Sequence, residues 1–370
     1  MARESYKTWV LRKEISWRQK SREVWLKEGD DNTRFFHRMV NTHSRRNWLS
    51  MLEVNGYWHT EENVLKDNVV GPFQNLYLEE GGWRPSIDGL TFMGLDSSEA
   101  ERLELPFSEE EVFAALSDLG KDKALGPDSF TMTFWLFCWD VVKVEVLGFF
   151  RDFHKGGGGR FVKSMNATFL VLVPKKEYAK DLKDFRSISL VGSLYKLLAK
   201  VLVNRLKRVM GKAISESQNA FVEGRQILDA ILIANEVVDS RLKNNEGGVL
   251  CKLDIEKAYD HVNWKFLFAV LRKMGFGEKL IEWCISTVKF SVLVNGSLFG
   301  FFQSSRGLRQ RDPLFPYLFV IAMEVFNCLL RRAMSGGFLF GWRVRGRSGE
   351  GILILHLLFV DDTLVFCEAF

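Results

Sequence analysis

The pattern of hydrophobic and polar residues along the chain predicts three helices. Apolar residues recur at three- and four-residue intervals over 194–210, and basic side chains, among them Arg205, lie on or beside the opposite face. Segment 4–28 carries apolar residues at seven-residue spacing between charged ones and ends before a glycine, which also predicts a helix. A third helix is predicted for 106–119, because a serine and a glutamate three residues apart have the spacing of a capping box.

Short apolar runs rich in β-branched residues predict the strands. One run covers 168–174 and ends at a proline, and another covers 249–254 and ends in an aspartate. A longer apolar segment, 352–366, predicts two strands that flank adjacent aspartates. The Asn-Gly pair at 295–296 stands between two further apolar runs and is typical of a two-residue hairpin turn. Periodicity fades between 80 and 105, where we place a domain boundary.

Length and composition indicate a folded protein of more than one domain. The 370 residues exceed the roughly 100–200 of a typical domain, so two or three units are expected. A hydrophobic fraction of 47% and a charged fraction of 26% argue against long disorder. No apolar run approaches the roughly 18 residues that span a bilayer, and the five cysteines lack zinc-site spacing. A folded intracellular protein without a membrane segment is expected.

The basic charge is concentrated at the N-terminal end. The net charge is +5, and residues 1–46 contain twelve Lys and Arg against six Asp and Glu. A polyanionic partner is therefore expected for this end rather than for the whole surface. Within it, Arg34 and Arg38 flank aromatic residues, an arrangement that suits single-stranded nucleic acid. A helix that packs its rings and solvates its arginines gives the same pattern, so both interpretations stay open.

Three aspartates in apolar surroundings are the candidates for chemistry. Asp361 and Asp362 are adjacent between apolar strands, and Asp254 ends another strand 107 residues before Asp361. A hairpin turn is one interpretation of the pair, since aspartate is common in turns. Neighbouring carboxylates among apolar strands also meet like-charge and desolvation penalties, which a cation with oxygen ligands, above all Mg²⁺, would relieve. If antiparallel strands bring all three acids together, the site suits two-metal phosphoryl transfer.

Five segments resemble, in their order along the chain, the motifs of one enzyme family. They are NATFLVLVPKK, DFRSISLV, KLDIEKAYDHV, GLRQRDPLFPYLF and FVDDTLVF. Together they resemble the reverse transcriptases of non-LTR (LINE-type) retrotransposons, particularly those of plants, over roughly residues 126–370. Segment 17–38 also resembles the linker that precedes the polymerase in such polyproteins. The implied activity is RNA-directed DNA polymerisation in the nucleus, with an RNA template, a DNA primer and deoxynucleoside triphosphates as partners.

The resemblance also implies an α+β fold of the right-hand polymerase type. Residues 1–105 would form a helical basic extension, 106–250 the fingers, and 251–370 a truncated palm. The palm would carry an antiparallel sheet packed on helices such as 316–334, and the reverse transcriptase domain would cover about 166–370. The thumb and the endonuclease of the family are expected to be missing from this sequence.

Residue by residue, the resemblance implies a metal site and a nucleotide site. Two Mg²⁺ ions would be held by three carboxylates: Asp254, Asp361 and Asp362. Three fingertip cations, Lys175, Lys176 and Arg186, would grip the incoming triphosphate, since point charges and a planar guanidinium suit phosphate oxygens. Tyr259 would crowd the 2′-carbon of the sugar and exclude ribonucleotides, and Gln310 would lie near the nucleotide and the template.

Alternatives accompany several of these assignments. Arg225, in the string SQNAFVEGRQ, matches a family arginine that would touch the template, and a structural ion pair is equally open. Tyr259 is alternatively a core tyrosine, and the fingertip cations are alternatively exposed charges without a ligand, more so the two lysines. Each of these residues therefore has both a functional and a structural interpretation.

Departures from the family pattern predict impaired activity. Arg311 replaces a glycine beside the nucleotide pocket, where glycine permits close backbone approach or a backbone angle that other residues resist. Ser187, Phe315 and Val360 replace a proline, a serine and an alanine. With the thumb also expected to be missing, we predict an impaired or inactive polymerase. A catalytically silent RNA-binding module and a translated relic without function are the alternatives.

Overall fold

The computed structural model describes residues 48–54, 56–79, 81–82, 86–120, 124–155, 165–177, 179–277, 279–345 and 351–368. The helix predicted for 4–28 and the nucleic-acid contacts predicted for Arg34 and Arg38 lie outside these residues. Across the part of the chain that is described, no helix is both long and apolar enough to cross a membrane.

Within the described residues, helices form at the predicted places 106–119, 194–210 and 316–334, and at several others. Side chains cap some of them: Asp96, Ser108 and Asn263 each accept a hydrogen bond from a backbone N–H of the first turn. In the described residues the helices are α1 Glu62–Leu76, α2 Ser97–Leu103, α3 Glu109–Asp118, α4 Met132–Phe137, α5 Trp139–His154, α6 Ser193–Ala213, α7 Ile227–Lys243, α8 Trp264–Lys273, α9 Lys279–Ser286 and α10 Phe315–Ser335.

The strands assemble into two sheets and two separate hairpins. A four-stranded sheet has the order β4-β3-β6-β7, with β3 and β6 parallel and the other neighbours antiparallel. A three-stranded sheet has the order β10-β11-β5 and is antiparallel throughout, while β1-β2 and β8-β9 form the hairpins. The strands are β1 Leu52–Val54, β2 Tyr57–His59, β3 Ala167–Pro174, β4 Phe185–Val191, β5 Val249–Asp254, β6 Lys289–Val294, β7 Ser297–Gln303, β8 Trp342–Arg345, β9 Gly351–Ile354, β10 His356–Phe359 and β11 Asp362–Cys367.

The helix predicted for 194–210 is confirmed as α6, but one of its basic residues is not solvated. Arg205, predicted on or beside the polar face, is buried, and its Nε and Nη2 each donate to the Glu111 carboxylate at 2.7 Å. The remaining N–H groups donate to backbone carbonyls of segment 103–106. Arg205 is buried because α2 and α3 pack along this side of α6 and satisfy the donors of the guanidinium.

The strand predictions are confirmed with one correction. The predicted hairpin turn joins β6 to β7, and Asn295 and Gly296 have the positive φ angles, 50° and 86°, that such a turn requires. Segment 352–366 contains parts of three strands rather than two, because Leu355 interrupts the first predicted strand and divides it into β9 and β10. As a result β9 pairs with β8, and β10 pairs with β11 in the sheet that carries the aspartates.

Two main hydrophobic cores hold these elements together. The larger one is built around α6 and α10, together with α3, α5 and α8. In the second, Leu65 and Phe73 of α1 pack with Leu170 of β3 and Phe290 of β6. Part of the predicted extension, 1–105, therefore packs directly on the four-stranded sheet. The mixture of helices and sheets confirms the α+β class, whereas the predicted domain bounds stay a prediction.

Candidate active site

The three-stranded sheet brings the predicted aspartates to one of its ends. Asp254 is the last residue of β5, Asp362 is the first of β11, and the two are partners in the antiparallel register. Asp361 lies in the two-residue turn between β10 and β11, directly after Val360. Because paired strands lie about 4.8 Å apart, residues more than a hundred positions apart in sequence become neighbours here. The expected antiparallel arrangement of these strands is confirmed.

Only two of the three predicted carboxylates line the same cleft. Asp254 and Asp361 line one cleft, whereas Asp362 forms an ion pair with Lys252 of β5, with Oδ1 3.3 Å from Nζ. Among the described residues, no group of three His, Cys, Asp or Glu side chains is placed to hold a metal ion. Carboxylate oxygens nevertheless are the donors that Mg²⁺ prefers. The donor chemistry therefore fits Mg²⁺, with two of the predicted ligands facing the cleft and the third paired with a lysine.

The cleft in front of the aspartates has a volume of about 1050 Å³. Its lining includes six of the eight residues predicted for the metal and nucleotide sites, and all five resembling segments contribute to them: Lys175, Arg186, Asp254, Tyr259, Gln310 and Asp361. Lys176 and Asp362 do not line it. Helix α1 forms a further part of the wall through Phe73 and Leu76. Residues far apart in sequence are thus brought to one concave surface.

The predicted phosphate-binding cations differ in how far they are engaged. The Lys175 Nζ donates to the Lys183 carbonyl oxygen at 2.8 Å. The Lys176 Nζ lies 2.8 Å from Oδ1 of Asp184, and this contact lowers the pKa of that carboxyl to about 2. Arg186 is exposed on β4 and forms no ion pair with the residues described. Within the described residues, only Lys176 of the three has an acidic partner, so Lys175 and Arg186 present unpaired charge to the cleft.

Tyr259 is fixed by packing while it lines the cleft. Its ring stacks on Phe319 of α10 with centroids 4.6 Å apart, and its carbonyl oxygen accepts a hydrogen bond from the Leu308 N–H at 2.8 Å. Burial, followed by the charge of Asp361, raises the pKa of Tyr259 to about 12. The hydroxyl therefore stays protonated at neutral pH, and the ring is a stiff wall rather than a mobile one.

Asp260 is a cleft residue that sequence reasoning missed. Its carboxylate accepts hydrogen bonds from the Tyr77 hydroxyl at 3.2 Å and from the Gln310 Nε2 at 3.5 Å. The side chain is buried, and this burial raises the pKa of Asp260. Tyr77 follows α1 and lies outside all five resembling segments, so no spacing could have indicated the contact. The network links the end of α1 to Gln310.

A second buried network fixes the segment that carries Gln310. The Arg309 guanidinium donates to Oδ1 of Asn166 at 2.6 Å and to Oγ1 of Thr168 at 2.9 Å. It also pairs with Asp312, with Nη2 2.8 Å from Oδ2, and both side chains are at most 1% exposed. The two charges stand on either side of Gln310 in sequence, so their burial fixes this backbone against the cleft wall.

Arg225 is engaged by backbone carbonyls. Its guanidinium donates to the Gln218 oxygen at 2.8 Å, to the Ile214 oxygen at 3.2 Å and to the Ser215 oxygen. Arg225 does not line the cleft. These contacts favour the structural interpretation, in the form of carbonyl hydrogen bonds rather than the ion pair that was considered. No signal in the sequence distinguishes the two kinds of partner.

The arginine that replaces the family glycine has a left-handed backbone. Arg311 has φ of 69°, is exposed and lines the cleft. A left-handed backbone is one of the two reasons, given above, for which glycine is favoured at this position. Any other residue in this conformation lowers the stability of the fold by about 1–2 kcal/mol. The expected backbone angle is confirmed.

Replacing Arg311 by glycine is expected to raise the free energy of unfolding by about 1 kcal/mol, because the left-handed strain is relieved. Urea denaturation of both proteins measures the change. Arg311→Ala is the matched control: it removes the guanidinium but keeps the Cβ, so it should give less than half of the gain. An equal gain for both variants would assign the cost to the side chain and not to the backbone.

Comparison with known proteins identifies the family. Residues 173–369, just over half of the chain, match the family described as reverse transcriptase (RNA-dependent DNA polymerase). The chain belongs to the reverse transcriptase family. An uncharacterized 149 kDa protein of transposon TX1 from Xenopus laevis is 29% identical over 330 residues, which is 86% of this chain and 24% of the relative.

A second curated relative and one solved structure are also similar to parts of this chain. A Pol polyprotein from the type-1 retrotransposable element R2 of Nasonia vitripennis is 25% identical over 273 residues, covering 73% of this reverse transcriptase chain and 25% of the relative. The chain thus spans about a quarter of the length of these curated relatives. A Candida albicans telomerase structure is 14% identical, covers 65% of this chain and 43% of its own, and has a TM-score of 0.37. The predicted non-LTR (LINE-type) membership is confirmed, and the plant type stays a prediction.

Proposed function

We propose that the cleft is the site of RNA-directed DNA synthesis in the reverse transcriptase domain of a non-LTR retrotransposon, and that Arg311 leaves this chain impaired or inactive in that reaction. The observation that supports this most directly is the single cleft lined by six predicted residues from all five resembling segments. An RNA template, a DNA primer and deoxynucleoside triphosphates are the proposed partners. We assign β3 and β4 of the four-stranded sheet to the fingers and the three-stranded sheet to the palm of a right-hand polymerase.

In the proposed reaction, the 3′-hydroxyl of the primer attacks the α-phosphate of the nucleotide. A new P–O bond forms, and the bond to pyrophosphate breaks. Two bound Mg²⁺ ions would lower the pKa of the attacking hydroxyl and stabilise the leaving oxygen. Asp254 and Asp361 would hold them from the cleft wall, and Asp362 belongs to the same proposed ligand set. In such reactions the protein contributes mainly by positioning the reactants and by stabilising charge.

The other cleft residues would bind and orient the nucleotide. Arg186 and Lys175 supply positive charge for the triphosphate, and the fork of Arg186 can bind two oxygens at once. Lys176 belongs to the same proposed group, although it is paired with Asp184. Tyr259, held by its stacking, would leave no room for a 2′-hydroxyl. Gln310, bonded to Asp260, would face the base pair.

The test is primer extension on an RNA template with Mg²⁺ and deoxynucleoside triphosphates. Arg311→Gly should extend the primer faster than the natural sequence, because the strained arginine no longer crowds the cleft. Adding Asp361→Asn to Arg311→Gly should lower the rate at least about a hundredfold, since a carboxylate that holds the metal loses its charge.

Asp67→Asn on α1 is the matched control, because this aspartate is exposed and does not line the cleft. In the Arg311→Gly background it should leave the extension rate unchanged. Extension that survives Asp361→Asn undiminished would contradict the metal assignment. A folded Arg311→Gly protein that binds primer and template yet extends nothing would contradict the proposed activity.

A further inference from the structure

A loop outside the cleft runs along the strand that leads into the aspartate turn. This segment, 214–225, follows α6 and is called here the brace loop. The Leu358 N–H of β10 donates to the Ser217 oxygen at 2.7 Å, and the Asn219 N–H donates back to the Leu358 oxygen at 2.9 Å. The outer edge of β10 is therefore paired with the brace loop, whereas its inner edge pairs with β11.

The brace loop is itself anchored at two points. The three carbonyl contacts of Arg225 tie the end of the loop back to its beginning. Ser215 donates from its N–H and from its hydroxyl to the buried Glu324 carboxylate of α10, at 3.2 and 3.1 Å. Because charge-assisted hydrogen bonds are stronger than neutral ones, these contacts hold the loop as a fixed support.

One side chain extends from this support to the turn. Gln218 is 1% exposed, and its Oε1 accepts hydrogen bonds from the Ala220 N–H at 3.0 Å and from the Val360 N–H at 3.3 Å. Its Nε2 has no hydrogen-bond partner among the described residues. In the described structure Gln218 therefore acts as a hydrogen-bond acceptor. One of its two donors is the N–H of Val360, the residue directly before Asp361.

Val360 needs such a support because its backbone is strained. Its φ is 60°, and a β-branched residue in this region is an outlier that costs about 1–2 kcal/mol. Strained conformations persist where the surrounding structure over-determines them. Here the side chain of Val360 packs on the main core, while Gln218 holds its N–H. The backbone angle of Val360 in turn decides where the next residue, Asp361, points.

We propose that Gln218 is a positioning residue that fixes the left-handed turn at Val360 and so aims Asp361 into the cleft. The effect on metal binding rests on the proposed function, whereas the effect on the turn does not. The proposal predicts energetic coupling between positions 218 and 360. A glycine at 360 adopts positive φ without strain, so the acceptor should then matter much less.

The experiment is a double-mutant cycle with Gln218→Met and Val360→Gly in the full chain. Methionine has nearly the length of glutamine but provides no strong acceptor. The affinity for Mn²⁺, read by electron paramagnetic resonance as a probe of the Mg²⁺ site, should fall about tenfold in Gln218→Met, the equivalent of about 1.4 kcal/mol. In the Val360→Gly background the same change should cost less than about twofold. Gln303→Met, at an exposed position of β7, should leave the affinity unchanged.

Hydrogen exchange at the amides of residues 360 and 361 provides the second readout. It should accelerate about tenfold in Gln218→Met, provided that the rest of β10 and β11 keeps its protection. Equal effects of Gln218→Met in both backgrounds, or unchanged exchange at the turn, would overturn the proposal. If Asp361→Asn leaves Mn²⁺ binding unaltered while the exchange result holds, the metal assignment fails and the positioning role stands.

Discussion

Replacing Arg309 by methionine is expected to lower the free energy of unfolding by about 3–5 kcal/mol, because it leaves a buried carboxylate without its cation. Arg309 and Asp312 are both almost completely buried, with Nη2 2.8 Å from Oδ2. The same substitution removes the donors to Asn166 and Thr168 of the four-stranded sheet. Urea denaturation followed by circular dichroism measures the loss.

A second substitution separates the charge from the packing. In Arg309→Met/Asp312→Asn the buried charge is removed, and the asparagine oxygen can still accept the hydrogen bond from the Leu314 N–H. This double variant should recover about 2 kcal/mol relative to Arg309→Met, since unpaired buried charge is the larger part of the cost. A double variant as unstable as the single one would show that lost packing and hydrogen bonds dominate.

The stability of the protein is expected to fall by about 3 kcal/mol as the pH drops from 6.5 to 4, through His356 alone. This histidine is buried on β10, and neither ring nitrogen has a hydrogen-bond partner in the described residues. Burial, followed by the charge of Arg331, lowers the pKa of His356 to about 4. Between the two pKa values the unfolded chain binds a proton that the folded chain excludes, so acid favours unfolding.

Comparison with His356→Leu isolates this contribution from other titrating groups. The free energies of unfolding of the two proteins, measured in urea from pH 4 to 7, should diverge steadily below pH 6.5, with leucine the more stable in acid. The C2 proton of His356, followed by NMR, should titrate near pH 4. Parallel stability curves, or titration near pH 6.5, would contradict the buried and unpaired state of this histidine.

The site residues that could be predicted from the sequence lie in short motifs, each recognisable without the rest of the chain. Asp254 ends β5 and Asp361 directly precedes β11, and the pairing of these strands places Asp254 opposite Asp362, next to Asp361. Arg311 could be singled out because a glycine position implies a backbone angle, and its φ of 69° is of that kind. Local pattern and local backbone geometry are therefore enough for these residues.

What the sequence did not predict depends on partners from distant segments. The burial of Arg205 follows from Glu111 and three carbonyls, and an isolated helical pattern places the same arginine in solvent. Asp260 gains its role from Tyr77, 183 residues away. The role of Gln218 depends on a turn that comes 142 residues later. Contacts between residues so far apart leave no periodic pattern in the sequence, so they become visible only in the folded structure.

The packing of α1 shows that the family match and the packed core begin at different places in the chain. The family match covers 173–369 and so begins inside β3, after Asn166 and Thr168, which accept the hydrogen bonds of a buried arginine. It also excludes Tyr77, which stacks in the second core and bonds to a cleft carboxylate, and Leu49, which is buried in the same core. The family match thus covers the segment that contains the proposed catalytic residues, whereas the packed core extends at least 120 residues further upstream. A shortened protein that began at residue 173 would lack these contacts.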